Sequence, residues 1–162
     1  MTRTLASTLT LLALPLLLAA CGPARPVGPA AIVVSEAWSR PAAAGGTGAG
    51  FFELTNSGGA ADTLLAVESP VSDEVQIHRS SDEGGVMRMR QVTEGVTVKA
   101  GETVGFAPGG LHVMFIRLKA AQVAGDRIPA TLVFRESGRK PVELTVRVAG
   151  AAPGGDMAHH GH

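Results

Sequence analysis

With 162 residues the chain has room for one domain and short extensions, and a hydrophobic share of 45% is enough to build a core. Net charge is zero and the charged residues, 17% of the chain, are scattered in both signs, so no basic face for nucleic acid is expected. One tryptophan, five phenylalanines and no tyrosine leave few platforms on which bases or sugars could stack.

Residues 1–20 have the pattern of an export signal, with Arg3 ahead of an apolar run over residues 5–18 that is short for a membrane span. Leu18-Ala19-Ala20-Cys21 resembles a bacterial lipobox, so Cys21 is expected to be lipidated and to become the mature N-terminus. The protein is then exported and held on the outer face of a bacterial membrane, on the periplasmic or cell-surface side. Cys21 is the only cysteine. The mature domain therefore has no disulfide and no thiolate ligand. Residues 21–31 form a Pro/Gly-rich linker that stands the domain off the lipid.

From Ile32 onward short strands alternate with turns. Strands are expected over residues 32–39, 49–55, 62–68, 74–78, 86–92, 96–98, 103–106, 111–118, 131–135 and 142–148. Asn56-Ser57-Gly58-Gly59, Gly84-Gly85, Ala100-Gly101 and Pro108-Gly109-Gly110 mark turns between them, and residues 122–129 are expected to be a loop. Segment 86–92 pairs naturally with the strand before it as a hairpin. No stretch after the signal has a helical pattern, so an all-β sandwich or barrel over residues 32–149 is expected. Residues 150–162 carry no strand pattern and end in Asp156-Met157-Ala158-His159-His160-Gly161-His162, a short metal-affine tract.

Strand periodicity sorts the polar and sulfur-bearing side chains, because residues two apart share a face. His112 and Met114 then lie on one face of segment 111–118, His78 lies opposite Val75 and Ile77, and Met87 and Met89 share a face. Thioether is a soft donor, and imidazole suits copper, zinc and iron. Two histidines and two methionines without thiolate or clustered carboxylates favour Cu(I). Structural zinc normally recruits cysteines or more histidines, and a blue-copper electron-transfer site needs a cysteine that the domain lacks.

These residues, with the text around them, resemble the periplasmic copper chaperones of the PCuAC type. His78 is followed after ten residues by Met89, and His112-Val113-Met114 supplies the closing H-x-M. Leu54-Thr55-Asn56, Ser69-Pro70, Pro108-Gly109-Gly110 and Gly125-Asp126 agree as well, so the resemblance covers essentially residues 32–148. Two departures stand out. Twenty-two residues separate Met89 from His112 where the family has twenty-one, and Arg79 occupies the place of an optional methionine. The extra residue is expected in the Thr93-Glu94-Gly95 turn, where an insertion costs little.

The resemblance implies a cupredoxin-like, Greek-key β-sandwich and a carrier rather than an enzyme. It implies Cu(I) held by His78, Met89, His112 and Met114, with Met87 as the runner-up, and transfer to a copper acceptor such as a cytochrome c oxidase subunit or another chaperone. The tail resembles extensions on some members, in which Met157, His159, His160 and His162 would take Cu(II). The alternative from another class is a membrane-anchored sandwich with a structural or interaction role, in which these methionines are packing. No nucleophile elbow, phosphate loop or carboxylate pair supports an enzyme.

Overall fold

The computed structural model describes residues 28–148. The signal segment, Cys21 and the tail candidates Met157, His159, His160 and His162 lie outside the described residues. Ten strands run in chain order, and no helix occurs among the described residues: β1 (Ile32–Ser39), β2 (Gly48–Asn56), β3 (Asp62–Glu68), β4 (Ser72–Asp82), β5 (Met87–Gln91), β6 (Val96–Val98), β7 (Thr103–Phe106), β8 (Leu111–Leu118), β9 (Arg127–Phe134) and β10 (Arg139–Val146). They form one ladder in the order β5-β4-β8-β7-β2-β1-β10-β9-β3-β6, with a further β8–β2 pairing. The ladder folds over so that β3 also lies against β4.

One core fills the fold. Phe52 and Leu54 on β2, Val113 and Phe115 on β8, Leu64 on β3, Leu132 on β9 and Leu144 on β10 all belong to it. Each comes from the inward half of an alternating strand, which is how a period-two pattern becomes a buried face. Gly50 lies on that face for lack of space: a Cβ there would meet the Leu144 and Phe115 side chains at 2.8 and 2.9 Å.

Several strand bounds differ from expectation. β4 runs on to Asp82, past the expected end at residue 78, and pairs with β5 through Ser80↔Met89, Ser81↔Arg88 and Asp82↔Met87. Both faces of this arm are polar or exposed, so no hydrophobic alternation marks it. β9 begins at Arg127, inside the segment expected to be loop, and contains Pro129, while β10 contains Pro141. Strands tolerate proline where its missing N–H faces no partner. Pro129 lies beyond Thr131, the last β9 residue paired with β3, and β1 pairs with β10 only at Thr145 and Val146, away from Pro141.

A bulge in β1 matters more for function. The pairing with β2 shifts between Ser35 and Trp38, and Glu36 has a φ of 52°. The extra residue switches the parity of the strand, sending Trp38 to the outer face opposite Phe51 and Ser39 inward.

Asp62 is buried at the start of β3 and accepts backbone hydrogen bonds from Thr63 (2.7 Å), Glu136 (3.0 Å) and Ser137 (2.9 Å). Burial alone would raise its pKa, but the hydrogen bonds from Ser137, Glu136 and Thr63 outweigh it and hold the carboxyl below its ordinary 3.8. A carboxylate whose folded pKa is depressed stabilises the fold above the unfolded value and loses that contribution as pH falls through the folded one. Asp62→Asn should therefore lower stability at neutral pH and make the loss of stability below pH 3.8 shallower than in the parent, as read by denaturant midpoints across an acid series.

Candidate metal site

The site is built on the pairing of β4 with β8. These strands are antiparallel in a register that sets His78 directly opposite His112, with Ile77↔Val113 and Gln76↔Met114 beside them. Ile77 and Val113 point into the core, so His78, Gln76, His112 and Met114 share the outer face. Ser80 follows on that face and pairs with Met89, which puts Met89 there too. On the other flank of β8, Met114 pairs with Ala49 of β2.

A break in the ladder opens a recess at this point. Phe52 pairs with Phe106 of β7, but the next β2 pairing, at Gly50, is with Val113 of β8. Residues 107–110, which join β7 to β8, are looped out opposite Phe51. The loop is tight: Ala107 N–H donates to Leu111 O at 2.7 Å, Gly110 N–H donates to Ala107 O at 3.0 Å, and Gly109 has a φ of +82°. The resulting recess of about 330 Å³ is lined by Met89, His112 and Met114 together with Arg40, Phe51, Ser80 and the Pro108-Gly109 turn. His78 does not line it but stands beside His112, the ring centroids 6.0 Å apart.

Hydrogen bonds fix which imidazole nitrogen of each histidine is free. His112 Nδ1 lies 3.0 Å from the Gly110 carbonyl, which can only accept, so Nδ1 carries the proton and Nε2 keeps its lone pair. Gly110 O also accepts from Ser80 N–H at 3.0 Å, tying this turn to β4. His78 has the opposite arrangement. Gln76 donates its amide N–H to the Glu74 carboxylate at 2.6 Å, which leaves the Gln76 oxygen to accept from His78 Nε2 at 2.7 Å. His78 Nδ1 is then the lone-pair atom, and it is buried without a partner. Burial, with the His112 imidazole beside it, holds the His78 pKa below the ordinary 6.5, so the ring is neutral at pH 7. A buried, orphaned, neutral nitrogen is what a metal ligand presents before its ion arrives.

The thioethers differ from each other. Met114 is half-buried beside the recess, whereas Met89 is 54% exposed on β5, at the edge of the sheet. Met87, on the same face of β5, pairs with Asp82 one step further out, is 60% exposed and does not line the recess. Among the described residues no three of His, Cys, Asp or Glu converge as a metal cluster. A donor set here must draw on sulfur.

Sequence reasoning missed the second layer. Phe51 is only 3% exposed yet stands outside the main core. It packs under Trp38 at 4.5 Å between centroids, and the guanidinium carbons of Arg40 and Arg147 lie 5.3 Å from the Phe51 ring and 4.6 Å from the Trp38 ring, respectively. Trp38, the single tryptophan, was the available signal, but its face depends on the β1 bulge. Gln76 and Glu74, which orient His78, carried no signal at all.

The family model described as "Putative lipoprotein LpqE-like" matches residues 32–146. The chain is 33% identical over 116 residues, 72% of its own length and 69% of the relative's, to "Putative lipoprotein Lxx21020" of Leifsonia xyli subsp. xyli. Its fold is similar to the copper-bound PCuAC domain from PmoF2, with a TM-score of 0.61 and 23% identity over 72% of this chain and 92% of that one. It is also similar to the Cu(I) form of DR1885 from Deinococcus radiodurans, with a TM-score of 0.54 and 25% identity over 70% of this chain and 78% of that one. These likenesses agree with the all-β, cupredoxin-like sandwich.

In the metal-free protein, nitrogen chemical shifts of the two imidazoles should report opposite tautomers, with the proton on Nδ1 of His112 and on Nε2 of His78. Gln76→Leu should release the His78 proton to either nitrogen while leaving His112 unchanged. Identical tautomers in the parent protein would contradict the hydrogen-bond assignment.

Proposed function

The chain belongs to the LpqE-like family, and we propose that it is an extracytoplasmic, lipid-anchored copper carrier that holds Cu(I) through His78, Met89, His112 and Met114 and passes it to an acceptor. The observation that carries this reading is the pair of facing imidazoles with opposite tautomers. Each has its other nitrogen hydrogen-bonded, and the His78 lone pair is buried and unpartnered. Second-sphere hydrogen bonds of this kind orient ligating histidines. The thioethers complete a soft set that suits a monovalent copper ion and discriminates against hard divalent ions.

The packing reading fits less well. Met87 and Met89 are among the most exposed large hydrophobic side chains, which is the wrong place for core filler. Met89 lines the recess and Met87 does not, so Met89 is the better fourth ligand.

Release follows from where the donors sit. His112 and Met114 stand on β8, in the interior of the sheet, while Met89 stands on the edge strand β5. An acceptor approaching the open side meets Met89 first and can displace it one ligand at a time. Such transfer needs no catalytic group, consistent with a carrier rather than an enzyme. A cytochrome c oxidase subunit is the acceptor the PCuAC resemblance implies, and Cys21 supplies the anchor. The tail residues Met157, His159, His160 and His162 form a second, imidazole-rich station for Cu(II).

The protein should bind one Cu(I), with sulfur and nitrogen both present in its X-ray absorption spectrum. His112→Ala with Met114→Ala should abolish that binding together with the rise in thermal midpoint that Cu(I) produces. Gln76→Leu should weaken it by about 10–100-fold while leaving the ligands in place. A double variant that binds as well as the parent would refute the site.

Deleting residues 154–162 should reduce Cu(II) binding and leave Cu(I) affinity nearly unchanged in equilibrium competition. Equal loss of both would remove the division into two stations.

A further inference from the structure

Strand β5 lies at one end of the ladder with β4 as its single neighbour, and all of its residues are exposed. The phase of its free edge follows from the backbone bonds that bracket it. Glu83 N–H donates to Val86 O at 3.0 Å at the turn, and Val92 N–H donates to Ile77 O at 2.8 Å at the far end. The register between them is unbroken, and hydrogen-bonded pairs alternate along an antiparallel ladder. Ser81↔Arg88 and Arg79↔Arg90 are therefore bonded pairs. Met87, Met89 and Gln91 turn their backbone N–H and C=O groups away from β4, towards an open edge.

The side chains sort by face. Met87 and Met89 lie on the side of the recess, and Arg88 and Arg90 lie on the other, where Arg79 stands directly across from Arg90. Arg88 and Arg90 share one carboxylate, Glu83, at 2.8 and 3.4 Å, and Arg79 has no ion pair among the described residues. This face is therefore cationic. A second copy of the strand does not suit it. Antiparallel pairing about Met89 would set Arg88 of one copy against Arg90 of the other, and like charges directly opposite destabilise a ladder. Charges on an edge strand prevent self-pairing. The same charges favour an acidic strand.

We propose that the open edge of β5 docks an extended, acidic segment of the copper acceptor, added as a further strand with a methionine or histidine opposite Met89. The inference rests on the carrier reading above and deepens it by giving the chemistry of the partner. In an antiparallel guest the residue opposite Met89 forms a hydrogen-bonded pair with it, about 5.5 Å between Cα atoms, and shares its face. A donor there stands beside the recess wall that Met89 forms with His112 and Met114. The residues on either side of that donor face Arg88 and Arg90, where glutamate or aspartate fits. Backbone bonds supply affinity, and alternate side chains supply selectivity. At the handover Cu(I) exchanges one neutral donor for another, so neither charge nor oxidation state changes.

The test uses the whole chain with Cys21→Ser and the synthetic peptide Thr-Val-Glu-Met-Glu-Val-Thr at millimolar concentration. The amides of Met87, Met89 and Gln91 should gain protection from hydrogen exchange when the peptide is added. Those of Arg88 and Arg90, already bonded to β4, should change little. The same peptide with lysine in place of glutamate should bind about tenfold more weakly, and Arg88→Gln with Arg90→Gln should erase that preference. Gln91→Pro removes an outward N–H and spares the bonds to β4. It should weaken binding of the acidic peptide by about tenfold and leave Cu(I) affinity unchanged. Absent protection, or equal binding of the acidic and basic peptides, would overturn the docking edge and leave the arginines as guards against self-pairing. Cu(I) binding, measured without peptide, separates the two ideas. A chain that binds Cu(I) but takes no peptide loses the docking edge and keeps the carrier. A chain that binds no Cu(I) loses the carrier, and the handover with it.

Discussion

Everything at the site depends on the register of β4 against β8. With His78 opposite His112, the alternation sends Ile77 and Val113 into the core and four polar or sulfur-bearing side chains outward. A slip of one residue would exchange the faces, turning imidazoles into the apolar core and exposing Val113. The core enforces the register: Val113 and Phe115 are fully buried on the inner side, so any slip must expose them. The hydrophobic effect thus positions the donors, although none of them belongs to the main core.

The looped-out residues 107–110 make a second use of the same ladder. β2 takes β7 as its partner for half its length and β8 for the other half, and the switch leaves Phe51, which pairs with Trp38 of β1, without a partner on its β7/β8 side. Burying that exposed ring requires a cover, which Trp38, Arg40 and Arg147 provide. The cost of a broken ladder is offset by a small satellite cluster whose edge becomes a wall of the recess. Without the β1 bulge, Trp38 would point inward and Ser39 outward, and the cluster would not close. The bulge and the loop are therefore coupled features: one supplies the opening, the other the ring that lines its flank.

The strands with one buried face were legible in the sequence. β1, β3, β6, β7 and β8 have the expected bounds because each is a short run rich in apolar and β-branched residues set between turn signals. The outer arm of β4 has no buried face, and nothing in its period revealed how far it extends, whereas β5, equally exposed, lies within one residue of its expected bounds at each end. The prolines in β9 and β10 pointed towards loop, and pairing geometry, which a sequence does not display, makes them harmless. For the site, the spacing of His78, Met89, His112 and Met114 was visible, and the structure brings His78 beside His112 and the other two into the recess wall. The hydrogen-bond relay from Glu74 through Gln76 was not visible, since an alternating polar strand residue has no signature of its own.

Rigidity is distributed unequally across the site, and the inequality bears on transfer. β8 is flanked by β4 on one side and by β7 and β2 on the other, so His112 and Met114 sit on backbone that cannot move without disturbing three strands. His112 is further fixed by the Gly110 carbonyl. Met89 is on a strand with one partner, exposed on all five residues, whose turn is held by Glu83 and the glycines at 84 and 85. Edge strands open locally at less free energy than central ones. In the proposed carrier the firm side keeps the ion in place while the loose side yields to an incoming ligand. A site with all four donors on central strands would bind as well and release poorly. In this proposal, one thioether on the edge is what would let the same protein hold copper and give it up.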